Sequence, residues 1–345
     1  MATKRFPGFI DVHVHLREPG ATQKEDFYTG SRAAIAGGVT FVIDMPNNPT
    51  PTVSIERLDE KVALAKKAIC DIGFHYGTNG KNADTFAEAA SRPEVFGLKL
   101  YCNHTTGEML IEDPKLLETV FAAWPPGKPI LVHAEGPQLD MAIALADKHG
   151  QRLHVCHITQ ASEVEAVRKA KAAGRSVTAG VCPHHLFMTE KDREEKKGYA
   201  TMKPPLGTLE DQAALWAGLV DGTVDIVETN HAPHTKEEKE KDPPAFGVPG
   251  LETSLGLMLK AVADGSITEE RVVEAMHTLP RKIFNIPEQP DTYVELDPDA
   301  PYTAGKDGYE SKCGWSPFTG WELYGKPMKV VLRGKTLLED GKIIA

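Results

Sequence analysis

The chain has 345 residues, of which 41 % are hydrophobic and 26 % are charged, enough for one large domain or two small ones. Its net charge of −10 makes it a poor candidate for binding nucleic acid, although a small anionic substrate is not excluded. The five cysteines form no CxxC pair, and we find neither a secretory leader nor a membrane-spanning run, so we expect a cytoplasmic protein with no membrane partner.

Short apolar runs alternate with helical patterns along most of the chain, and this alternation predicts a parallel sheet. The eight predicted strands cover 8–15, 40–45, 71–77, 95–103, 129–135, 152–159, 176–182 and 224–230. The predicted helices between them cover 26–36, 55–69, 114–123, 137–148, 161–173 and 209–219. Eight strands close a (β/α)8 TIM barrel. The alternative is an open doubly wound sheet, but no GxGxxG sequence follows an early strand.

The sequence after the eighth strand predicts a loop, two helices and a C-terminal extension outside the barrel strands. The charge run 236–244 is predicted to be a solvated loop near the barrel mouth, followed by helices over 251–263 and 268–277. Residues 291–320 are rich in Pro, Gly, Asp and Tyr and predict irregular segments, and 329–336 with 341–344 predict a terminal β-hairpin. Because only seven residues precede the first strand, this hairpin is expected to pack on the barrel or pair elsewhere. The predicted division is a barrel over 1–290 and an extension over 291–345.

Two histidines end the first predicted strand. His13 and His15 alternate with Val12 and Val14, and a period of two places both imidazoles on one face. Two neutral imidazoles at a strand end form half of a metal site. The alternative is an ordinary polar pair on an open strand.

Ligand-type residues recur at the ends of later strands. His133 ends the fifth strand, His157 the sixth, and the eighth ends in a segment that runs from Asn230 to His234. In a barrel the carboxyl ends of all strands form one face, where the active site lies. A single buried histidine is more often a core residue than a ligand, but several on one rim favour a metal centre.

Lys99 lies inside the apolar fourth strand. A bare ammonium is costly to bury there and would repel metal ions. A neutral amine that has reacted with CO2 gives a carbamate, an anionic ligand able to bridge two metals. The alternative is a lysine whose amine reaches the barrel mouth.

These features resemble the binuclear zinc amidohydrolases. Short sequence motifs narrow the resemblance to the dihydroorotases, in the form found as a domain of the animal multifunctional pyrimidine-biosynthesis protein. The resemblance runs from about Pro7 to Gly334. The motifs are HVHLREPG at 13–20, DMPN at 44–47, GLK at 97–99, VHAE at 132–135, PHHL at 183–186 and VPGLET at 248–253.

The resemblance implies a cofactor, a reaction and partners. Two Zn2+ ions would be bridged by carbamylated Lys99 and by a hydroxide or water. The metal ligands would be His13, His15, carbamylated Lys99, His133, His157 and the residue at 230. The reaction would be the reversible cyclisation of N-carbamoyl-L-aspartate to L-dihydroorotate in pyrimidine biosynthesis. The implied partners are a second copy of the chain and other domains of the pathway.

The resemblance also implies substrate contacts. Arg17, Asn47 and His234 would bind the substrate carboxylate, for which a guanidinium fork is well suited. Pro249 and Gly250 would hold the pyrimidine ring, and Thr105 would cover the site from a loop.

Two positions depart from the family pattern. Asn230 stands where the family has a catalytic Asp, and an amide cannot exchange a proton at neutral pH. Gly180 stands where the animal form has a Glu that binds an extra zinc with a cysteine at the place of Cys156. We therefore expect impaired activity and no third metal. The open alternatives are an inactive structural domain and a hydantoinase-like or allantoinase-like hydrolase.

Overall fold

The computed structural model describes residues 3–104 and 109–345, and their strands are numbered here in chain order. The strands are β1 Lys4–Pro7, β2 Phe9–Val14, β3 Val39–Asp44, β4 Asp71–Gly77, β5 Val95–Tyr101, β6 Ile130–His133, β7 Leu153–Val155, β8 Val177–Val181, β9 Ile226–Val227, β10 Tyr293–Leu296, β11 Pro301–Thr303, β12 Glu322–Tyr324, β13 Lys329–Leu332, β14 Lys335–Glu339 and β15 Lys342–Ile343.

The helices alternate with the first nine strands and then follow them. The α-helices are α1 Phe27–Ala36, α2 Ile55–Leu64, α3 Phe86–Ser91, α4 Pro114–Ala123, α5 Pro137–Lys148, α6 Ala161–Ala172, α7 Pro183–Phe187, α8 Glu190–Lys196, α9 Leu209–Asp221, α10 Lys236–Lys239, α11 Ser254–Ala263, α12 Glu269–Val273 and α13 Leu279–Phe284. Short 3-10 segments lie at Ala65–Lys67, Ala83–Thr85 and Lys197–Ala200, and a π-helical turn lies at Glu274–Thr278. None of the helices in the described part of the chain is both long and apolar enough to cross a membrane.

Strands β2 to β9 form one eight-stranded parallel sheet in sequence order, so the predicted (β/α)8 barrel is confirmed. The barrel closes through a parallel bridge between Val14 and His231, where the His15 amide donates to the His231 carbonyl at 2.7 Å. The eighth barrel strand, Ile226–Val227, is shorter than predicted, and the predicted last residue, Asn230, has a φ of 48° rather than an extended conformation.

The core forms two layers because the barrel strands are buried on both faces. Every residue of β2 and β5 is buried. The outer layer joins strand residues to the apolar faces of the surrounding helices. The inner layer contains Ile10, Ile43 and Leu131 from the strands, with Phe284 of α13 beneath them.

The terminal hairpin pairs with a strand outside the barrel, which is one of the two expected arrangements. Strand β1 pairs antiparallel with β10, and the five-stranded sheet has the order β1-β10-β13-β14-β15. The predicted hairpin exists as β13 and β14, with β15 along the edge of β14. Strands β10 and β11 also lie in the span predicted to be irregular. The division after residue 290 remains a prediction.

The charge run is not a fully solvated loop as predicted. It begins with helix α10, whose last residue, Lys239, is only 1 % exposed. The Lys239 ammonium donates to the carbonyls of Thr201, Ala245 and Gly247 at 2.6 to 2.9 Å. These three acceptors satisfy the buried amine, although burial still lowers its pKa to about 7. A sequence pattern cannot anticipate such distant acceptors.

Candidate metal centre

The predicted metal ligands lie together at the carboxyl ends of the barrel strands. His13 lies in β2, Lys99 in β5 and His133 at the end of β6, whereas His15, His157 and Asn230 follow β2, β7 and β9. The ring centroid of His13 lies 5.4 Å from that of His15 and 4.9 Å from that of His157. The rings of His133 and His157 are 4.8 Å apart. Four imidazoles from three different strand ends therefore share one small volume.

Burial keeps these imidazoles neutral, the form that binds metal ions. It lowers the pKa of His13 to about 4, lowers the pKa of His133, and lowers the pKa values of His15 and His157 well below their usual range. His133 Nδ1 lies 3.2 Å from His157 Nε2, and the buried His157 Nδ1 has no hydrogen-bond partner within the described residues. Two neutral imidazoles do not carry enough N–H donors to pair all of these buried nitrogens. A metal ion, which accepts nitrogen lone pairs, would satisfy them.

Lys99 is fully buried beside this cluster. Its Nζ lies 3.1 Å from Cys156 Sγ and 5.0 Å from the ring centroid of Tyr101. No carboxylate pairs with Lys99 within residues 3–104 and 109–345. The alternative to a carbamate required the Lys99 amine to reach solvent at the barrel mouth, but Lys99 is fully buried. A neutral amine, or one converted to an anion, fits these surroundings better than a bare ammonium.

Asn230 faces the histidines from the eighth strand end. Its Oδ1 lies 2.9 Å from His15 Nε2, and its Nδ2 donates to the Lys203 carbonyl at 3.4 Å. Asn230, His157 and Arg17 all have positive φ angles, of 48°, 36° and 65°. Left-handed backbone in residues other than glycine carries strain, and such strain tends to cluster at functional sites.

Glu228 is a site residue that the sequence analysis missed. It is fully buried, its Oε1 accepts the His157 amide at 2.6 Å and lies 3.4 Å from His13 Nδ1, and its Oε2 lies 3.4 Å from His154 Nε2. Burial opposes ionisation, but interactions with His13 and His154 hold the pKa of Glu228 well below its usual range. The available signal was an acidic residue inside the predicted strand 224–230. Its contacts come from β2 and the end of β7, so local sequence could not reveal them.

A cavity of about 310 Å3 adjoins the cluster and carries cationic and amide groups. It is lined by Arg17, Lys24, Asn47 and His234, among others. Arg17 Nε donates to the Pro233 carbonyl at 3.0 Å, and another guanidinium nitrogen lies 3.0 Å from His234 Nε2. Burial lowers the pKa of Arg17 to about 10, so the guanidinium stays charged at neutral pH. This end of the site suits an anion.

A smaller cavity of about 20 Å3 connects this region with the metal cluster. Both cavities are lined by His15, Arg17 and Asn47. The smaller one also contains Tyr101, Lys203 and Phe246, which the sequence analysis did not name. The Lys203 ammonium lies 4.7 Å from the Phe246 ring centroid.

Three residues predicted to contact the substrate are not placed in either cavity by the described part of the structure. Pro249 and Gly250 are buried but line neither cavity, and the Gly250 amide donates to His231 Nδ1 at 3.1 Å. Thr105 lies outside the described residues. The roles of all three remain predictions.

Comparison with known proteins agrees with this geometry. Residues 6–286 match the model of the amidohydrolase family. The chain is 44 % identical to multifunctional protein pyr1-3 of Dictyostelium discoideum and 41 % identical to multifunctional protein CAD of Squalus acanthias, each over 99 % of this chain. It spans only 15 % of the length of these two relatives. It is 35 % identical to a dihydroorotase of Lactobacillus acidophilus, over 97 % of this chain and 88 % of that protein.

Two solved structures carry the comparison further. L-hydantoinase from Arthrobacter aurescens superposes with a TM-score of 0.93 at 25 % identity, over 99 % of this chain and 86 % of that one. The inactive dihydroorotase-like domain of a Chaetomium thermophilum CAD-like multifunctional protein superposes with a TM-score of 0.85 at 27 % identity, over 99 % and 97 % of the two chains. Catalytic and inactive relatives thus share this architecture.

Proposed function

Since the chain belongs to the amidohydrolase family and is of the dihydroorotase type, we propose that its substrates are N-carbamoyl-L-aspartate and L-dihydroorotate. The observation that supports this proposal is the junction of two cavities at His15, Arg17 and Asn47. One cavity carries the ligand-type cluster and the other carries cationic groups. A carboxylate-bearing cyclic amide needs both, side by side.

The proposed metal centre holds two zinc ions. The proposed ligands are His13, His15, Lys99, His133, His157 and Asn230. Lys99 would serve as a carbamate, formed when Nζ bonds to the carbon of CO2 and releases one proton. When bound, the two ions would lower the pKa of water and polarise the amide carbonyl that is to be cleaved. The family implies dependence on a metal, and the cluster of neutral imidazoles supports zinc as its identity.

Arg17 and its neighbours would orient the substrate. A guanidinium can hold a carboxylate through two parallel hydrogen bonds, which fixes the plane of the carboxylate as well as its position. Asn47 adds amide hydrogen bonds at the junction of the cavities, and neutral His234 lies within reach of the guanidinium. Lys203 adds a second cation beside the metal cluster. The ring amide would then face the histidines.

Asn230 limits the proposed turnover. Its amide oxygen can still interact with His15 or a metal, but it can neither accept a proton nor deliver one to the leaving nitrogen. Loss of a general acid or base costs about 10²–10⁴ in rate. We therefore propose that this chain binds its substrate and turns it over slowly.

Two other functions have specific support. Asn230, together with similarity to a domain described as inactive, favours a structural domain that retains the fold. The TM-score of 0.93 to a hydantoinase favours a hydrolase of other cyclic amides. Arg17 weighs against a substrate without a carboxylate, whereas the Lys24 ammonium is already paired with Glu238 at 2.9 Å.

The experiment is dihydroorotate turnover in both directions, for this chain and for Asn230→Asp, with zinc quantified in each protein. We expect Asn230→Asp to gain at least about 100-fold in kcat while both proteins hold two zinc ions. Asn285→Asp is the matched control, because Asn285 also has a positive φ but lies at the end of α13, on the surface. This control should leave turnover unchanged.

Each other result selects a different function. Two zinc ions without turnover in either protein would favour the inactive structural domain. Turnover of hydantoin or allantoin alone would replace the proposed substrate. Absence of zinc from both proteins would contradict the metal centre.

We further propose the setting in which the chain works. The sequence similarity to multifunctional proteins supports association with other pyrimidine-pathway domains, in the cytoplasm and as a homodimer. Light scattering of the purified chain would show the mass of a single copy if the homodimer is wrong.

A further inference from the structure

Glu228 places a buried carboxyl group directly behind the metal cluster. Its carboxylate is fully enclosed and touches two different ligand residues, His13 through a ring nitrogen and His157 through the backbone amide. A third contact is His154, whose other ring nitrogen lies 3.0 Å from the Thr178 hydroxyl. Such a position is costly unless the charge interacts with something that requires it.

The neighbouring strand leaves room for this carboxylate. A Cβ atom placed on Gly180 of β8 would lie 2.6 Å from Glu228 Cδ, closer than atoms can approach. Glu228 can therefore occupy its position only because residue 180 has no side chain. The pair of Gly180 and Glu228 thus forms one packing unit behind the histidines.

The ligand set itself lacks a carboxylate side chain. Its members are histidines, Asn230 and Lys99. Two carboxylates contact their rings: the partly exposed Glu135, 3.3 Å from His133 Nε2, and the fully buried Glu228, 3.4 Å from His13 Nδ1. Histidines that bind a metal through one ring nitrogen usually donate the other N–H to a carboxylate or carbonyl. Glu228 Oε1 lies 3.4 Å from His13 Nδ1, and that nitrogen has no hydrogen-bond partner among the described residues. A small approach of the two groups would let Nδ1–H donate to Glu228 and leave the lone pair of Nε2 for a metal ion.

We propose that Glu228 is a positioning residue for the metal centre, which fixes the tautomer of His13 and the place of His157 from outside the ligand shell. This inference rests on the proposed function, because it requires that the cluster binds metal. In this proposal Glu228 lies outside the ligand shell, so its effect is on metal affinity and ligand geometry. Glu228, His13 and Cys156 also offer ligand atoms within 4.8 Å of one another, so the zinc count tests direct binding as the competing role.

The test is zinc binding to the full chain, measured by competition with a chromophoric chelator. Glu228→Gln preserves shape and removes the charge, and we expect it to weaken zinc binding by about 10–100-fold. The absorption spectrum of the cobalt-substituted protein should also change, because it reports on ligand geometry. Thermal unfolding of the metal-free proteins shows whether Glu228→Gln still folds.

Two further variants separate position from charge and from general destabilisation. Gly180→Ala keeps the carboxylate but displaces it, so it should weaken zinc binding in the same direction, and it should add little in the double variant with Glu228→Gln. Asp225→Asn is the matched control. Asp225 precedes β9 at the other end and accepts the Ala179 amide at 2.8 Å, so its loss should leave zinc affinity unchanged.

The results distinguish the two proposals. Two zinc ions in the unaltered chain, bound equally well by Glu228→Gln and Gly180→Ala, would overturn the role of Glu228 and leave the proposed function intact. Three zinc ions, falling to two in Glu228→Gln, would make Glu228 a ligand and also overturn the positioning role. No zinc in the unaltered chain would overturn both proposals.

Discussion

At the scale of single residues, Arg17 links the two halves of the site. It lies two residues beyond His15, its left-handed backbone turns the chain at the barrel mouth, and its side chain lines both cavities. The contact with the Pro233 carbonyl fixes one edge of the guanidinium. The remaining N–H groups are placed to receive an anion in a defined orientation.

Replacing Arg17 by Lys should therefore weaken substrate binding without abolishing folding. The ammonium keeps the charge but loses the planar fork, and loss of a hydrogen bond between charged groups costs about 1.5–3 kcal/mol. We expect the Kd for dihydroorotate, measured by calorimetry, to rise about 10–100-fold. Arg193→Lys, the same change at an exposed position of α8, serves as control, and an unchanged Kd in Arg17→Lys would contradict the carboxylate contact.

Site residues could be predicted from the sequence where a polar side chain interrupts an apolar strand. His13, His133 and Lys99 stand out because polar groups are rare in apolar strands. Lys61 gave no such signal on the charged helix α2, yet it is fully buried and lies 2.7 Å from the carboxylate of Asp44. Its partner lies on another element, and only the assembled fold brings the two together.

At the scale of elements, helix α6 shows how a buried acid stabilises a helix start. Glu163 accepts the amides of Thr159 and Gln160 at 2.7 and 3.1 Å, which satisfies backbone donors that the helix itself leaves unpaired. The side chain is almost completely enclosed, and burial raises its pKa to about 7. The folded protein thus holds this proton over a pH range in which the unfolded chain has released it.

Stability should consequently depend on pH through Glu163. Because the folded pKa is raised, the stabilising contribution is complete below about pH 4.5 and is lost as the pH rises through about 7. Relative to Glu163→Gln, the unaltered chain should lose up to about 3 kcal/mol between pH 4.5 and pH 8 in urea unfolding. Glu165→Gln, on the exposed side of α6, should show a flat difference from pH 5 to pH 8. A free energy of unfolding of the unaltered chain that stays constant or rises with pH, relative to that of Glu163→Gln, would contradict this assignment.

The long elements were predictable because their periodicity is local, whereas the short ones depend on distant partners. Strand β1 has only four residues and pairs with β10 nearly 300 positions away, so no window of sequence contains its reason to be extended. The barrel strands are flanked by helices of regular spacing, and their apolar runs are continuous. This difference explains why the barrel was predicted and the side sheet was not.

At the scale of the whole molecule, the metal centre and the fold should be thermodynamically linked. An ion that binds only the native state stabilises it by about 2.7 kcal/mol when present at a hundred times its Kd. Removal of metal by a chelator should lower the Tm by at least about 3 °C, and added zinc should restore it. His157→Ala, which lacks a proposed ligand, should respond much less. Equal Tm values for loaded and stripped protein would contradict the linkage.

The closure of the barrel between its first and last strands has a consequence of its own. The hydrogen bond from the His15 amide to the His231 carbonyl belongs to the seam of the cylinder, and proposed metal ligands lie on both sides of it, His15 on one and Asn230 on the other. An ion held by both would act as a staple across that seam. The rate of hydrogen exchange at the His15 amide should then report directly on occupancy, so that slow exchange of this one backbone proton would indicate a metal-bound, closed barrel and fast exchange a metal-free barrel that opens between its first and last strands.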